Sequence, residues 1–452
     1  MIPRLTLQAF AFLLIPFSLQ AADNAESPLP PVTWVDQDTG HRVWRLSDEP
    51  GSSGLYFNLN AYTPDQKTVV YTTPDGFHAI DLATKKTRLI LAKEGVNQRA
   101  QIMEVGHKTN SVFFTRSEPS DPANPTQKLR SLCKVDVYTG EVTKLAMIPS
   151  MPGAYLDCVN ADETLAAGVY EDGPAEPGSD YDPKGWLPPL GPDGKPKKGP
   201  LVQAVNKEEM MDRRFAAHIP MVLFTINLQT GTVTKLLRTT DWIDHFLFSP
   251  ADPTLLMYAH EGKWHKVDRI WFVRTDTAEN TLIHKRLMVG EVAGHEFWGL
   301  DGKSIWFDLQ TPPGPIYYLA QYNTETKQRT WYNLNPMDRS LHFNVTEDES
   351  LFCGDGSDPA LARGSLEVAW IKLFRPQLRK SNGIDTPDLV HVNSVQMERL
   401  VNMAKHDYRL EPNVRFTPDK KMILFTGTMF GPSYVFGVEV AKAAPEASAP
   451  QK

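Results

Sequence analysis

The 452-residue chain lacks the motifs of several common enzyme classes. It has no glycine-rich phosphate loop, no nucleophile elbow and no cysteine-rich metal motif, so the sequence signs of nucleotide-dependent enzymes, α/β-hydrolases and zinc domains are missing. Its three cysteines, Cys133, Cys158 and Cys353, have no metal-ligand spacing. Each is expected to pack singly on a strand, and a disulfide between one pair is the alternative in an oxidising compartment. A sustained helical period is also missing beyond residue 31, so we expect a chain built from short strands.

The chain has no excess of basic residues. Its formal net charge is −7 and its pI is near 6.0. Because phosphate binding needs a basic surface, this charge argues against nucleic acid as a partner. An anionic sugar stays open as a partner, since the local charge of a cleft can oppose the charge of the whole protein.

Long apolar runs are missing after the N-terminus, so no membrane span is expected in the mature protein. The N-terminus itself has one positive charge within residues 1–4, a mostly apolar run over 5–19, and small residues at Ala21 and Ala22. This pattern is typical of a signal peptide. Residues 1–22 are therefore predicted to be a signal peptide, and the mature protein is predicted to be exported, to the periplasm if the host is a two-membraned bacterium.

A repeated phrase of a turn followed by an apolar strand is the main feature that the chain does have. A Pro/Asp/Gly cluster makes the turn, and the next residues alternate or are wholly apolar. Seven copies occur, at residues 63–73, 106–116, 160–170, 249–259, 300–309, 346–356 and 417–427. A second phrase, with a Thr-Gly or Thr-Lys turn between two strands, occurs at 80–90, 135–145, 226–236 and 322–332. Seven copies predict an all-β fold, a seven-bladed β-propeller over residues 32–440, with each blade a four-stranded meander.

The irregular spacing of the copies predicts two insertions. One covers about 172–220, with a short helix near 205–217, and the other about 360–400, with a helix near 394–403. Blade insertions cluster on one face and commonly shape the binding mouth.

The two ends of the predicted propeller are expected to meet. Segment 33–46 is expected to close the ring by adding a strand beside the C-terminal strand at 434–440. Residues 441–452 are expected to form a disordered tail.

Four phrases rich in His, Arg and carboxylates lie at about blade spacing in the later part of the chain. They are HEG at 260–262 followed by Arg269-Ile270-Trp271, HEFW at 295–298, His342 ahead of GDGSD at 354–358, and a polar phrase at 405–419. In a propeller, loops of several blades converge on one mouth. These phrases resemble those of the oligogalacturonate lyase family (pectate lyase 22), over about residues 32–440 and most specifically over 258–358. The resemblance implies a polysaccharide lyase of pectin degradation.

The reaction implied by this resemblance is β-elimination at a uronate. A base removes the C5 proton, which is acidic only when the adjacent carboxylate is neutralised. The resemblance implies that His295 is this base and that Arg269 neutralises the carboxylate, roles that suit a pKa near neutrality and a planar guanidinium. The structural alternative is that Arg269 pairs with a nearby acid and His295 caps a turn.

Three further residues are predicted to bind substrate at the same mouth, namely His260, Glu261 and Tyr408. For His260 a packing or hydrogen-bonding role is an equal alternative.

The sequence departs from the family at the predicted metal site. The family holds manganese through a His that matches His342 and through a Gln-x-x-His-Pro-His phrase. Here His342 is kept, whereas Tyr408 stands at the Gln position and Glu411 and Asn413 stand at the two His positions.

Three outcomes are open for this altered phrase. A divalent cation, manganese or another hard ion, still binds through a mixed nitrogen and oxygen set: His342, Glu411, Asn413 and His406. Alternatively, Glu411 replaces the metal by pairing with Arg409 or Arg415. In the third outcome these residues contact a different sugar directly.

The leading hypothesis is therefore an exported lyase acting on an anionic oligosaccharide, with oligogalacturonate as the first substrate to test and other uronate glycans as further candidates. A monomer or small homo-oligomer is expected. The alternative hypothesis is a non-catalytic exported propeller that binds an oligosaccharide or a protein partner.

Overall fold

A computed structural model describes residues 29–93, 101–119, 129–177, 179, 186–187, 202–203, 207–312, 316–360, 364–380 and 388–444. The predicted signal peptide lies outside the described residues, as do much of the first predicted insertion and most of the predicted tail. Among the described residues there is one α-helix, α1 (Lys207–Ala216), and no helix is long and apolar enough to cross a membrane.

The described chain is otherwise built from short strands. In chain order they are β1 (Thr33–Val35), β2 (His41–Arg45), β3 (Ser53–Gly54), β4 (Thr68–Thr73), β5 (Gly76–Asp81), β6 (Thr87–Ala92), β7 (Gln101–Val105), β8 (Ser111–Glu118), β9 (Leu129–Asp136), β10 (Val142–Met147), β11 (Tyr155–Val159), β12 (Leu165–Glu171), β13 (Trp186–Leu187), β14 (Val202–Gln203), β15 (Met221–Asn227) and β16 (Val233–Thr239). They continue as β17 (Ile243–Phe248), β18 (Leu255–His260), β19 (Ile270–Arg274), β20 (Asn280–Leu282), β21 (Val292–Trp298), β22 (Ser304–Thr311), β23 (Ile316–Asn323), β24 (Arg329–Leu334), β25 (Phe343–Val345), β26 (Phe352–Gly354), β27 (Trp370–Gln377), β28 (Val390–Asn402), β29 (Arg415–Phe416), β30 (Met422–Gly427) and β31 (Tyr434–Lys442).

Most strands form four-stranded antiparallel meanders. Separate sheets are made by β3–β6, by β7–β10, by β11, β12, β15 and β16, and by β17–β20. β21–β24 and β25–β28 are two further meanders, joined into one sheet by parallel pairing of β24 with β28. The first strands of neighbouring sheets lie side by side, for example β7 with β11, β11 with β17 and β25 with β29. The fold is therefore all-β and propeller-like.

The second strand of each meander is the one that the repeated phrase predicts, and the structure confirms these seven strands: β4, β8, β12, β18, β22, β26 and β30. These strands are largely apolar and buried because both of their faces are covered by neighbouring sheets. Val70, Val112 and Leu256 are fully buried, for example. The outer strands β10 and β16 are mostly exposed, so their sequences mix polar and apolar residues.

The Thr-Gly and Thr-Lys turns share one backbone conformation. Gly140 and Gly231 have φ of 72° and 70°, and Lys85 and Lys327 have φ of 58° and 61° at the matching turn positions. Glycine adopts this left-handed region at little cost, whereas lysine does not. The repeat thus keeps the turn geometry even where it loses the glycine.

The two ends of the described chain meet in one sheet. β2 pairs with β31, and β1 extends the sheet beyond β2. This pairing is the one expected for segments 33–46 and 434–440. The predicted start of the disordered tail is wrong, because β31 continues to Lys442.

The helix predicted near 205–217 is confirmed by α1, but the helix predicted at 394–403 is wrong. That segment lies in the 13-residue strand β28, which pairs with β24 on one side and with β27 on the other. Its apolar residues Met397, Leu400 and Val401 have the i, i+3, i+4 spacing of a helix face, although the segment is a strand. Pairing with two available strands decided the outcome, as tertiary context commonly overrides local preference.

Candidate active site

His295 lies in a bulge of β21. The pairing of β21 with β22 shifts register between Gly294 and Phe297, and His295 has a φ of 50°. A bulge of this kind re-aims a side chain relative to its strand. Phe297 and Trp298, later in the same strand, are buried. The His295 side chain, in contrast, is 36% exposed.

A carboxylate holds the His295 ring from behind. Nδ1 of His295 lies 2.9 Å from Oδ1 of Asp308, and the other oxygen of Asp308 accepts from Gln310 Nε2 at 3.2 Å. Burial opposes a charge on the ring, but the charge and hydrogen bond of Asp308 outweigh it, and the pKa of His295 is raised above its ordinary value. Asp308 therefore fixes the ring orientation and leaves Nε2 as the outward nitrogen.

Arg269 lies just before β19 and is 5% exposed. Its Nε and Nη2 donate to the two oxygens of Glu296, at 2.9 and 3.1 Å. Its Nη1 is also buried and forms an ion pair with Oε1 of Glu261 at 2.9 Å. Burial lowers the pKa of Arg269 and the two carboxylates raise it, with a net increase. One guanidinium thus faces two buried carboxylates.

Glu261 links this pair to a further histidine. Oε1 of Glu261 lies 2.8 Å from Nε2 of His245, which is at the start of β17. Burial raises the pKa of Glu261, but hydrogen bonding from His245 and the charge of Arg269 lower it to about 2. His245 did not belong to any phrase that the sequence analysis singled out.

His342 forms the floor of the site and is fully buried. Asp355, from the GDGSD phrase, accepts from the His342 backbone at 3.0 Å and lies 2.6 Å from its Nδ1. The opposite nitrogen, Nε2, is 3.3 Å from the hydroxyl of Tyr56 and 3.9 Å from Oε2 of Glu411. The ring of Phe57 stacks on His342 at 4.4 Å.

The proposed chemistry needs four residues to lie close together, and the structure brings them together: His295, Arg269, His342 and Glu411. The ring centroids of His295 and His342 are 5.0 Å apart. Arg269 binds the residue that follows His295, and Glu411 lies beside His342. Partly exposed groups thus lie above a buried floor. The chemical roles of these residues stay predictions.

The altered metal phrase is turned toward the protein. His406 uses one ring nitrogen on the carbonyl of Leu410, at 2.7 Å, and accepts from Thr428 with the other, at 3.1 Å. Asn413 accepts from the backbone of Phe57 at 3.0 Å and donates to the carbonyl of Glu411 at 2.9 Å. The nitrogen and oxygen atoms through which His406 and Asn413 would bind a metal are therefore already hydrogen-bonded within the protein.

Only two of the four predicted metal ligands keep a donor atom available. These are His342, through Nε2, and Glu411, whose side chain is 44% exposed. Within the described residues, no group of three or more His, Cys, Asp or Glu is arranged to hold a metal ion. A manganese site usually needs about six donors, most of them oxygens. The residues present do not fit such an ion.

The alternative partners predicted for Glu411 have other contacts. Arg409 pairs with Asp407, and Arg415 is buried and donates to the carbonyls of residues 55, 56 and 59. Arg415 therefore anchors the segment that carries Tyr56 and Phe57, and does not pair with Glu411.

His260 and Tyr408, both predicted to bind substrate, make packing contacts. The ring of His260 stacks on Trp271 at 4.9 Å, and its side chain is 14% exposed. Tyr408 donates to the carbonyl of Asp355 at 3.3 Å and packs against His406. Their predicted roles stay untested.

Sequence reasoning assigned no role to several residues of the site. Glu296 and Asp355 stand inside quoted phrases, so their carboxylates offered a signal. Tyr56, Phe57 and Asp308 lie outside every phrase that was assigned a role. Tyr56 and Phe57 reach the site because the propeller-like arrangement places a distant segment beside His342, and Asp308 reaches it because β22 pairs with β21.

Comparisons with known proteins show the family and agree with the fold. A family model described as oligogalacturonate lyase matches residues 208–444. The chain is 22% identical over 419 residues to the oligogalacturonate lyase of Dickeya dadantii, covering 88% of this chain and 93% of the relative. A solved oligogalacturonate lyase in complex with manganese has a TM-score of 0.67 at 20% identity, over 92% of this chain and 97% of the other. A solved oligogalacturonate lyase from Vibrio parahaemolyticus also has a TM-score of 0.67 at 20% identity, over 91% and 96%.

Proposed function

The chain belongs to the oligogalacturonate lyase family and is a polysaccharide lyase, and from this premise we propose that it cleaves oligogalacturonate by β-elimination. The observation that carries the proposal is the placement of the His295–Asp308 pair beside Arg269. Base, orienting acid and cation are the three groups that proton removal next to a carboxylate needs.

In the proposed reaction, Nε2 of neutral His295 takes the C5 proton of the uronate. The electron pair of the C5–H bond forms the C4–C5 double bond, and the C4–O bond breaks so that the pair leaves with the glycosidic oxygen. Asp308 keeps Nδ1 protonated and stabilises the imidazolium that results. Because the pKa of His295 is raised, a given fraction of the neutral base requires a higher pH than it does for an ordinary histidine.

Arg269 is proposed to neutralise the uronate carboxylate. Nε and Nη2 are held by Glu296, and the buried Nη1 lies 2.9 Å from Glu261, so the proposed contact exchanges the Glu261 pairing of Nη1 for the substrate carboxylate. A charge-assisted hydrogen bond from a buried guanidinium lowers the pKa of the neighbouring C–H by stabilising the negative charge that develops. No step is routed through a divalent metal, because two of the four predicted ligands are engaged within the protein.

The seven four-stranded units are proposed to be the blades of a propeller. Support comes from the seven repeated phrases, from the side-by-side first strands and from the pairing of β2 with β31. The N-terminal pattern at residues 1–22 supports export, which we propose leads to the periplasm.

The test is turnover of oligogalacturonate by purified mature protein. The ultraviolet absorbance of the conjugated product should increase with time, and mass spectrometry should find two fragments that together contain no added water. Fragments that include a water molecule would indicate hydrolysis and reject elimination. Binding without turnover would favour the non-catalytic alternative.

A further inference from the structure

The bulge that carries His295 has a counterpart one sheet earlier. The pairing of β17 with β18 shifts register between Asp244 and Leu247, and His245 lies in this bulge with a φ of 55°. His295 lies in the corresponding bulge of β21 with a φ of 50°. Left-handed backbone is unusual for histidine, so its presence in two neighbouring first strands marks a shared local design.

The two histidines are also held in similar ways. Glu261 holds His245 through Nε2 at 2.8 Å, and Asp308 holds His295 through Nδ1 at 2.9 Å. The His245 side chain is 38% exposed, against 36% for His295. In the described part of the chain no residue hydrogen-bonds to Nδ1 of His245, so each ring has one nitrogen held from behind and one nitrogen available.

The charges around His245 favour its protonated form. Burial lowers its pKa, but the hydrogen bond to Glu261 and the charges of Glu296 and Asp244 raise it to about 9, against an opposing effect of Arg269. Two buried carboxylates, Glu261 and Glu296, face one guanidinium, so a second cation is needed to balance them. His245 supplies it, and it is more exposed than Arg269.

We propose that His245 binds the carboxylate of the uronate substrate through its Nδ1–H, as the outer of two cations of which Arg269 is the inner. An anionic sugar that enters the site meets the exposed imidazolium before it meets the buried guanidinium. This role would select uronates over neutral sugars. The proposal rests on the proposed lyase function, which it deepens.

The purely structural alternative is that His245 only balances the charge of Glu261. In that case substrate affinity would not depend on His245 once the fold is intact. The two roles can be separated by measuring binding in a protein that cannot turn over its substrate.

The experiment starts from His295→Asn, which removes the proposed base while asparagine accepts the left-handed backbone. Calorimetry then measures the Kd of this protein for trigalacturonate and for the corresponding neutral galactose trisaccharide. His245→Asn is added to the same background, with His391→Asn on β28 as the matched control. We expect a roughly 10- to 100-fold weaker Kd for trigalacturonate from His245→Asn, and no change from His391→Asn, because one charge-assisted hydrogen bond is lost.

A pH series on the His295→Asn protein tests the same point without a second substitution. Affinity should fall as pH rises from 7 to 10, since His245 loses its charge near its pKa of about 9. Two further ionisable groups near His245, Asp157 and Tyr155, have pKa values outside that window. The pKa of Asp157, raised by burial, is about 6, and burial raises the pKa of Tyr155 above its ordinary value. His245→Lys should restore part of the affinity at pH 10.

An unchanged Kd in His245→Asn, or a pH-independent Kd in its parent, would overturn the proposal. The proposal would also be overturned if His245→Asn, made in the wild-type background, bound the substrate normally but had a lower kcat. Failure of the proposed function looks different, because the wild-type protein, with both histidines intact, would then not cleave trigalacturonate.

Discussion

The two sides of the site use similar residue types for different purposes. On the side of β17 and β21, His245 and His295 each keep one ring nitrogen available at a partly exposed position. On the side of residues 405–416, His406 and Asn413 use their polar atoms on the protein itself. A polar residue at a motif position therefore indicates ligand binding only when its hydrogen-bonding atoms are not already bonded within the protein.

The same comparison explains what replaced the predicted metal ligands. Asn413 holds the backbone of Phe57, and Arg415 holds the carbonyls of the same segment. That segment brings Tyr56 and Phe57 onto His342. The altered phrase therefore positions the floor of the site.

The largest effect is expected on the side of β17 and β21, where His245 and His295 each keep one ring nitrogen available. His295→Asn should lower kcat on oligogalacturonate by about 10²- to 10⁴-fold, because general-base catalysis is lost. Product absorbance measures the rate, and His391→Asn serves as the control. A variant that retained more than a tenth of the activity would show that another group removes the proton.

Arg269→Met should remove both activity and a large part of the stability. The substitution leaves Glu261 and Glu296 buried without their guanidinium, and breaking a buried pair costs about 3–5 kcal/mol. Chemical denaturation measures the free energy of unfolding. If Arg269→Met were as stable as the wild type, the buried pairs with both carboxylates would be absent in solution.

Asn413→Ala probes the other side, where the effect should be on stability. The backbone N–H of Phe57 would lose its acceptor, at a cost of about 1–3 kcal/mol. Elemental analysis of the purified variant should find the same metal content as in the wild type. A loss of bound metal together with activity would instead assign Asn413 to a metal site.

Asp308→Asn should change the pH dependence more than it changes the fold. Asp308 raises the pKa of His295, and the base acts in its neutral form, so kcat/KM of the wild type should rise with pH through that raised value. Without the carboxylate, the low-pH limb of the kcat/KM profile should move to lower pH by about 1 pH unit or more. An unmoved limb would mean that His295 does not control it.

Chelation is expected to have the smallest effect. Treatment with EDTA should change kcat/KM by less than about twofold, because the residues at the predicted manganese site leave too few free donors. Recovery of activity on adding manganese to an EDTA-inactivated sample would contradict this expectation and restore the metal to the mechanism.

Much of the fold could be predicted from the sequence because the repeat is local. Each turn and its apolar strand fall within about ten residues, so the seven second strands were found correctly. Strand β28 was missed because its apolar spacing also fits a helix, and only pairing with β24 and β27 decides between them.

The candidate site was predictable where several residues stood in one phrase. Arg269, His295 and His342 were found in this way, and the structure places them together. His245 stands in no recognisable phrase, and Asp308 stands in a repeated phrase that signals only a strand, so neither could be found; both reach the site through strand register and bulges.

By itself the sequence determined the strand-rich fold, the repeat and the chemical types available at the site, because these depend on neighbours along the chain. Tertiary structure decided which of those groups are free to act. His406 and Asn413 are occupied by contacts across turns and between segments, whereas His245 and His295 are freed by bulges. The reason is that the availability of a polar atom depends on its partners in space, and those partners are set only when the sheets assemble.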